Sequence, residues 1–323
     1  MPISGQEIYK ELEELKDKDF KKLVSLAQTD KEHDFWVQTQ GYFCGGKHYP
    51  KTIYHYTNFA ALEGILSDEG IRMFRSDGMN DKAEMRNFID LAEKSLYKRI
   101  RQKDMRTVIA KKFDEERATR KQDVSYLASF STWSDDVSQW ERYGNDGYGV
   151  AIAFDFVSLK AVARKNGIML QEVFYGDNAD KHQIVDVMED LFYGKDHARH
   201  RFKKDDWNGV FDNAWAVSVS HKHYTFASEQ EYRLVTLPTW NGNRYDRLGN
   251  AYFVSTSSAI KECVHLDWKE GCKDNNIPID KMITGIIIGP RSGMAIVKLQ
   301  ERLRQIGMEC LAKRVKKSKS TLR

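Results

Sequence analysis

FASEQEYRLV, residues Phe226 to Val235, is the stretch whose reading decides both fold and site. As a strand of period two it puts Glu229, Glu231 and Arg233 on one face and Tyr232 and Leu234 on the other. Two carboxylates and a guanidinium then point the same way, which costs energy unless a cation or a ligand hydroxyl lies between the acids. A competing reading, an edge strand with a charged outer face and an in-strand Glu-Arg pair, fits the spacing equally well. The remainder of the chain decides between them.

The chain has 323 residues, 41% hydrophobic and 12% aromatic, which describes a folded protein with length enough for a sizeable core. Its apolar runs all fall short of the ~20 residues that span a bilayer. The start, MPISGQEIYKELEELKDKDF, lacks the basic and then apolar pattern of a signal peptide, so the expected compartment is the cytoplasm, with no membrane partner. Cys44, Cys263, Cys272 and Cys310 include no CxxC pair and read as reduced thiols rather than a zinc knuckle or a disulfide framework.

The net charge of +4 is unevenly spread. Lys313 to Arg323 holds six basic residues and no acid, which leaves 45 basic against 47 acidic residues in the rest of the chain. Lys94 to Gln122 holds eleven basic residues against four acids. Each segment alone reads as a solvated face or a solubilising end; together they favour nucleic acid as a partner, RNA foremost, with DNA or protein as the other classes.

Residues 6 to 28 read as an amphipathic helix through Ile8, Leu12, Leu15, Leu23 and Leu26. Gly41, Gly46 and Lys47 match most of a P-loop, but His48, Tyr49 and Pro50 follow where a hydroxyl and a helix are required, so this is an ordinary loop. TIYHYT (52–57) alternates as a strand, and Asn58 caps a helix to Ser67 that Gly70 ends. IRMFR is a second strand, and a turn at Asn80 or Asp81 opens a long basic helical insertion over 80–122. SYLASFST, GYGVAIAFDF and GIMLQEVFYG are further strands, separated by short helices; 179–219 is mostly helical. AYFVST, CVHLDW and ITGIIIG complete the strands before a helix to Ile306, a last strand and the basic tail. The expected organisation is an N-terminal helical element over 1–50, one α+β domain over 51–312 and a tail over 313–323.

The ordered series Tyr54-His55-Tyr56-Thr57, Asn80-Asp81-x-x-Glu84, Phe130-Ser131 with Trp140 and Tyr143, Gly149-Val150 and Glu229-x-Glu231-x-Arg233 resembles a bacterial family of unknown function over residues 50 to 310. That pattern is in turn similar to the ADP-ribosyltransferases, whose split β-sheet binds NAD through one short motif on each of three strands. The resemblance implies an ADP-ribosyltransferase-like split sheet with helical insertions, NAD as co-substrate and no metal. It also implies a toxin or defence effector held by an antitoxin and a chaperone. His55 matches the residue that binds a ribose of NAD, Ser131 the second motif, and Glu231 the catalytic glutamate, with Glu229 orienting or deprotonating the nucleophile. Tyr56, Thr57 and Tyr143 complete the implied NAD-binding set.

The residue chemistry agrees with that implication and admits others. Breaking a nicotinamide-ribose bond develops oxocarbenium character, which a nearby carboxylate stabilises. Aromatic rings such as Tyr56, Trp133 or Tyr143 suit stacking on nicotinamide or adenine. Singly, though, a histidine in a Tyr-His-Tyr strand is more often a hydrogen-bonded core residue, and Trp140 with Tyr143 more often core packing. A metal-dependent hydrolase using His221, His223, Glu229 and Glu231 is the second reading, and a non-catalytic nucleic-acid-binding protein the third.

Overall fold

A computed structural model describes residues 50–76, 84–120, 124–177, 179–180, 183–195, 205, 207–236, 248–256 and 259–322. The expected helix over 6–28, the Gly41–Lys47 loop and the Asn80 or Asp81 helix start lie outside these residues. Among those described, ten strands join in one mixed sheet and helices pack against it, an α+β arrangement. None of the described helices is long and apolar enough to cross a membrane.

Strand β1 (Thr52–Thr57) runs through the middle of the sheet because its alternation serves two faces. Ile53 enters the main core, while Tyr56 joins Trp140, Ala151 and Ile287 in a smaller cluster on the other side. Helix α1 (Phe59–Ser67) follows directly, capped by the Asn58 carboxamide oxygen, which accepts from the Ala61 N–H at 2.7 Å. Leu62, Ile65 and Leu66 bury its inner stripe, as their spacing predicts. The left-handed residue after this helix is Glu69 (φ 48°), and Gly70 already belongs to β2 (Gly70–Arg75).

On one side β1 pairs antiparallel with β4 (Val150–Asp155) along its full length, and β4 pairs with β11 (Ile283–Ile288). On the other side β1 meets β3 (Tyr126–Ser131) at a single register pair, Tyr54 with Ser131. The opposite end of that same β3 edge pairs with β2, Phe74 with Leu127 and Arg75 with Tyr126. Between the two pairings the edge of β3 is open, and the sheet is split there. The far edge of β3 carries β8 (Glu231–Val235) in unbroken register, Leu127 with Val235 through Ser131 with Glu231, and β5 (Met169–Glu172) lies beyond. All five residues of β8 are buried, which corrects the edge-strand reading: the strand is interior, and its charged face is enclosed.

The turn into β4 depends on the absence of a side chain at Gly149. A Cβ there would clash with the Thr57 carbonyl oxygen and lie 2.8 Å from that of Gly144. Gly149→Ala is expected to destabilise the fold by about 3 kcal/mol, read as a lower denaturation midpoint, because backbone on both sides has no room to yield.

The basic helical insertion consists of two helices, α2 (Glu84–Arg99) and α3 (Lys103–Thr119), broken where Gln102 turns extended. They pack with α6 (Gln183–Phe192) and α7 (Trp207–Ser218) around Phe88, Leu96, Phe113, Met188 and Trp215. Helices α4 and α5 of the numbering are Val137–Arg142 and Phe156–Lys165. Much of the insertion's charge is answered inside this cluster. Arg99 pairs with Asp186 and Glu189, Arg117 with Asp90, Glu93 and Asp114, and Arg120 with Glu116 and Asp212.

The basic end of the chain also differs from the expected free tail. Val315–Lys317 forms β12, parallel to β11, so the last strand lies within the segment assigned to the tail. Val315 supplies the buried residue that the charge count obscures. Beyond it Asp135 accepts from the Ser318 hydroxyl at 2.5 Å and the Lys319 N–H at 2.6 Å. Cys263 and Cys272 are buried free thiols, and Cys310 is an exposed one.

Candidate functional site at the sheet split

His55 occupies the gap where the sheet divides. The Ser129 carbonyl has no strand partner on that edge of β3, and His55 Nδ1 lies 2.9 Å from it. A carbonyl only accepts, so Nδ1 carries the proton and Nε2 keeps a lone pair. Burial pulls the imidazole below its ordinary pKa, which this hydrogen bond offsets only in part. The Nδ1–H tautomer is therefore expected to dominate at neutral pH, to be seen as a protonated Nδ1 and a bare Nε2 in nitrogen NMR; the opposite tautomer would break the assignment.

The face of β8 away from Tyr232 and Leu234 carries Glu231 and Arg233, as the period of two predicts. Glu229 departs from the prediction, because it closes a 3-10 turn (Tyr224–Glu229) rather than beginning the strand. His223 caps that turn through its ring, and Ala227, Ser228 and Glu229 have little strand preference to oppose it. Gln230, left-handed at φ 44°, then swings the chain into β8.

The two glutamates nonetheless converge, on a lysine. Lys222 Nζ stands 2.8 Å from Glu229 Oε2 and 2.8 Å from Glu231 Oε2. Arg233 holds Glu231 from the far side, Nε to Oε1 at 2.7 Å and Nη2 to Oε2 at 3.2 Å, and donates Nη1 to the Val219 carbonyl. Glu229 Oε1 accepts from Arg142 Nη1 at 3.1 Å and from the Tyr143 hydroxyl at 2.9 Å. Burial alone would raise the Glu231 carboxyl, but the Arg233 guanidinium and the Lys222 ammonium overcome it and bring the pKa down to about 2. Glu231 is thus a fixed anion, suited to stabilising positive charge and unsuited to general-base work.

Smaller bonds fix the frame. The Ser131 hydroxyl donates to the Glu229 carbonyl at 2.7 Å and accepts from the Trp133 N–H at 3.1 Å. The Tyr56 hydroxyl donates to the Trp133 carbonyl at 2.8 Å. The Glu231 N–H donates to the Tyr175 hydroxyl oxygen at 2.8 Å, which ties the start of β8 to β6 (Phe174–Tyr175).

His55, Tyr56, Thr57, Ser131, Tyr143, Glu229 and Glu231 all line one cavity of about 220 Å³. It is walled by apolar side chains that include Ile65, Ile71, Phe74 and Phe130. The Ser131 hydroxyl is engaged with the Glu229 backbone carbonyl and that of Tyr143 with its carboxylate, so the first fixes the main chain of Glu229 and the second its side chain.

Sequence reading missed Lys222, Arg142 and Tyr175. Lys222 sits in His221-Lys-His223, where the histidines draw attention to metal binding. In β7 (His221–Lys222) alternation sends the lysine to the two glutamates, while the His221 ring lies 5.4 Å from Phe88 in the helical cluster. The ligand set of the hydrolase reading is therefore not assembled: His221 faces the opposite side and both glutamates are engaged by cations. Among the described residues no group of three or more His, Cys, Asp or Glu is placed to hold a metal ion.

A family model described as a protein of unknown function (DUF2971) matches residues 139–234, which include Tyr143, Lys222, Glu229, Glu231 and Arg233 but not His55 or Ser131. The chain matches no curated protein and no solved structure.

Proposed function

We propose that the chain is an ADP-ribosyltransferase that takes ADP-ribose from NAD, with nucleic acid, RNA foremost, as the acceptor. One observation carries the reading. The sheet divides along the edge of β3, and the split brings His55 from one half and the Glu229–Glu231 pair from the other to one cavity. The fold is read accordingly as an ADP-ribosyltransferase-like split sheet.

The chemistry follows from the geometry. About 220 Å³ falls below the ~300–1,000 Å³ of a typical small-molecule pocket, so it suits one ring and its sugar, with the rest of a dinucleotide along the open mouth. His55 Nε2, with its lone pair, accepts from a ribose hydroxyl. The bond from the ribose anomeric carbon to the pyridinium nitrogen breaks, its electron pair leaves with neutral nicotinamide, and Glu231 stabilises the oxocarbenium charge. A lone pair of the acceptor forms the new bond while Glu229 orients the acceptor, whose proton passes to water. The same reading makes the chain a toxin or defence effector kept with an antitoxin and a chaperone.

The nucleic-acid acceptor rests on charge that stays at the surface. Lys94, Arg101, Lys103, Lys313, Arg314, Lys316 and Lys319 are exposed, unlike the paired Arg99, Arg117 and Arg120. Incubation with labelled NAD and separate pools of RNA, DNA and protein tests the reading. Label is expected in RNA, falling steeply with salt as phosphate contacts release counterions, and falling again when Lys94, Arg101 and Lys103 become Gln. Label in protein alone would overturn the acceptor; no consumption of NAD in any pool would overturn the enzyme.

A further inference from the structure

We infer that Lys222 is the positioning residue of the carboxylate pair, the cation that bridges Glu229 and Glu231 and holds them side by side on one wall of the cleft. Its nitrogen is 2.8 Å from one oxygen of each, so those oxygens lie within twice that distance of each other. The Lys222, Glu229 and Glu231 side chains are only 8%, 4% and 5% exposed, so water does little to screen the two like charges.

The other groups around the pair divide between the two acids. Arg142 and Tyr143, from α4 and the residue after it, reach Glu229 alone. Arg233, from β8, reaches Glu231 alone. Tyr175, from β6, contacts the backbone of Glu231, and His55 faces the same cavity from β1. Among the described residues only Lys222 bridges the two carboxylates. Phe226, whose ring centre lies 5.3 Å from Nζ, covers the ammonium on another side. Without that bridge the two carboxylates would repel each other, and Glu231 would keep only one of the two cations that hold it as an anion. The catalytic consequence rests on the transferase reading; the protonation consequence does not.

The test titrates the glutamate side-chain carboxyls of the full chain by carbon NMR and measures NAD turnover against pH on the same samples. In the unsubstituted chain the Glu231 carboxyl should remain ionised well below the ordinary carboxylate range. In Lys222→Met it should titrate about 2 pH units higher, with the acidic limb of turnover moving by the same amount, and Lys222→Arg should recover most of the shift. A purely structural lysine would lower stability without moving either profile, and titrations that coincide would overturn the inference. Should Lys222→Met fail to fold, Glu229→Gln is compared with Lys222→Met/Glu229→Gln, which removes one charge of each sign. Glu231 should titrate higher in the double variant, and equal values would again overturn it. A shifted titration with no NAD turnover in any sample, the unsubstituted chain included, would leave the role of Lys222 standing and remove the transferase.

Discussion

Glu231→Gln is expected to cut transfer of label from NAD by about 10²–10³-fold, the loss typical when a group that stabilises transition-state charge is removed. The substitution keeps the shape of the side chain and an oxygen that accepts from Arg233, so NAD should still bind. Because the charge disappears between Arg233 and Lys222, the fold should also weaken, and the rate must be measured well below the shifted melting point. Transfer at the normal rate would remove Glu231 from the chemistry. Loss of NAD binding with chemistry intact once the site is saturated would make it a binding residue instead.

Arg233→Met should cost about 3–5 kcal/mol of stability, the range found when one partner of a buried ion pair is deleted. The guanidinium is 1% exposed, holds both oxygens of Glu231 and satisfies the Val219 carbonyl, all of which methionine leaves undone. The pH dependence distinguishes this from a packing defect. The Glu231 carboxyl is lowered from 4.5 to about 2 in the folded chain, so its stabilising contribution is present above about pH 5 and is lost as the pH falls toward 2. Removing Arg233 raises the folded carboxyl toward its unfolded value, so the variant should show a flatter loss of stability across that window, measured by denaturant titration from pH 6 to pH 3. A variant as acid-sensitive as the parent chain would show that Lys222 alone holds the carboxyl down.

Short-range pattern carried the strands well. TIYHYT, SYLASFST and GYGVAIAFDF alternate or run apolar between turn residues; the first two form strands within a residue of that reading, and the third begins three residues later, at Val150, because Gly147 to Gly149 make the turn. The faces of β8 also follow, since alternation separates Glu231 and Arg233 from Tyr232 and Leu234 by geometry alone. What stayed hidden depends on residues far apart in the chain. Arg99 reads as surface charge until α6 brings Asp186 and Glu189 against it, and Arg120 until α7 brings Asp212. Lys222 carries no local signal, because its meaning comes from two glutamates reached only after a 3-10 turn that the Glu-x-Glu spacing disguises as strand. The helix break at Gln102 is similar: continuous charge and good helix formers conceal a bend fixed by the packing of Ile100 and Ile109 into the helical core.

The split sheet also fixes the order in which the molecule can take shape. Each pairing that frames the cleft joins distant parts of the chain: β1 to β4, β3 to β8, and β2 to β10 (Ile260–Asp267), where Gly70 meets Asp267. Closing such loops costs entropy before any contact repays it, so rates fall as sequence separation grows. Helices α2 and α3, by contrast, are neighbours that form their turns locally. The cleft is consequently a late product of folding: a partly folded chain with native helices still lacks it, because His55 and the two glutamates meet only when β3 is gripped on both edges.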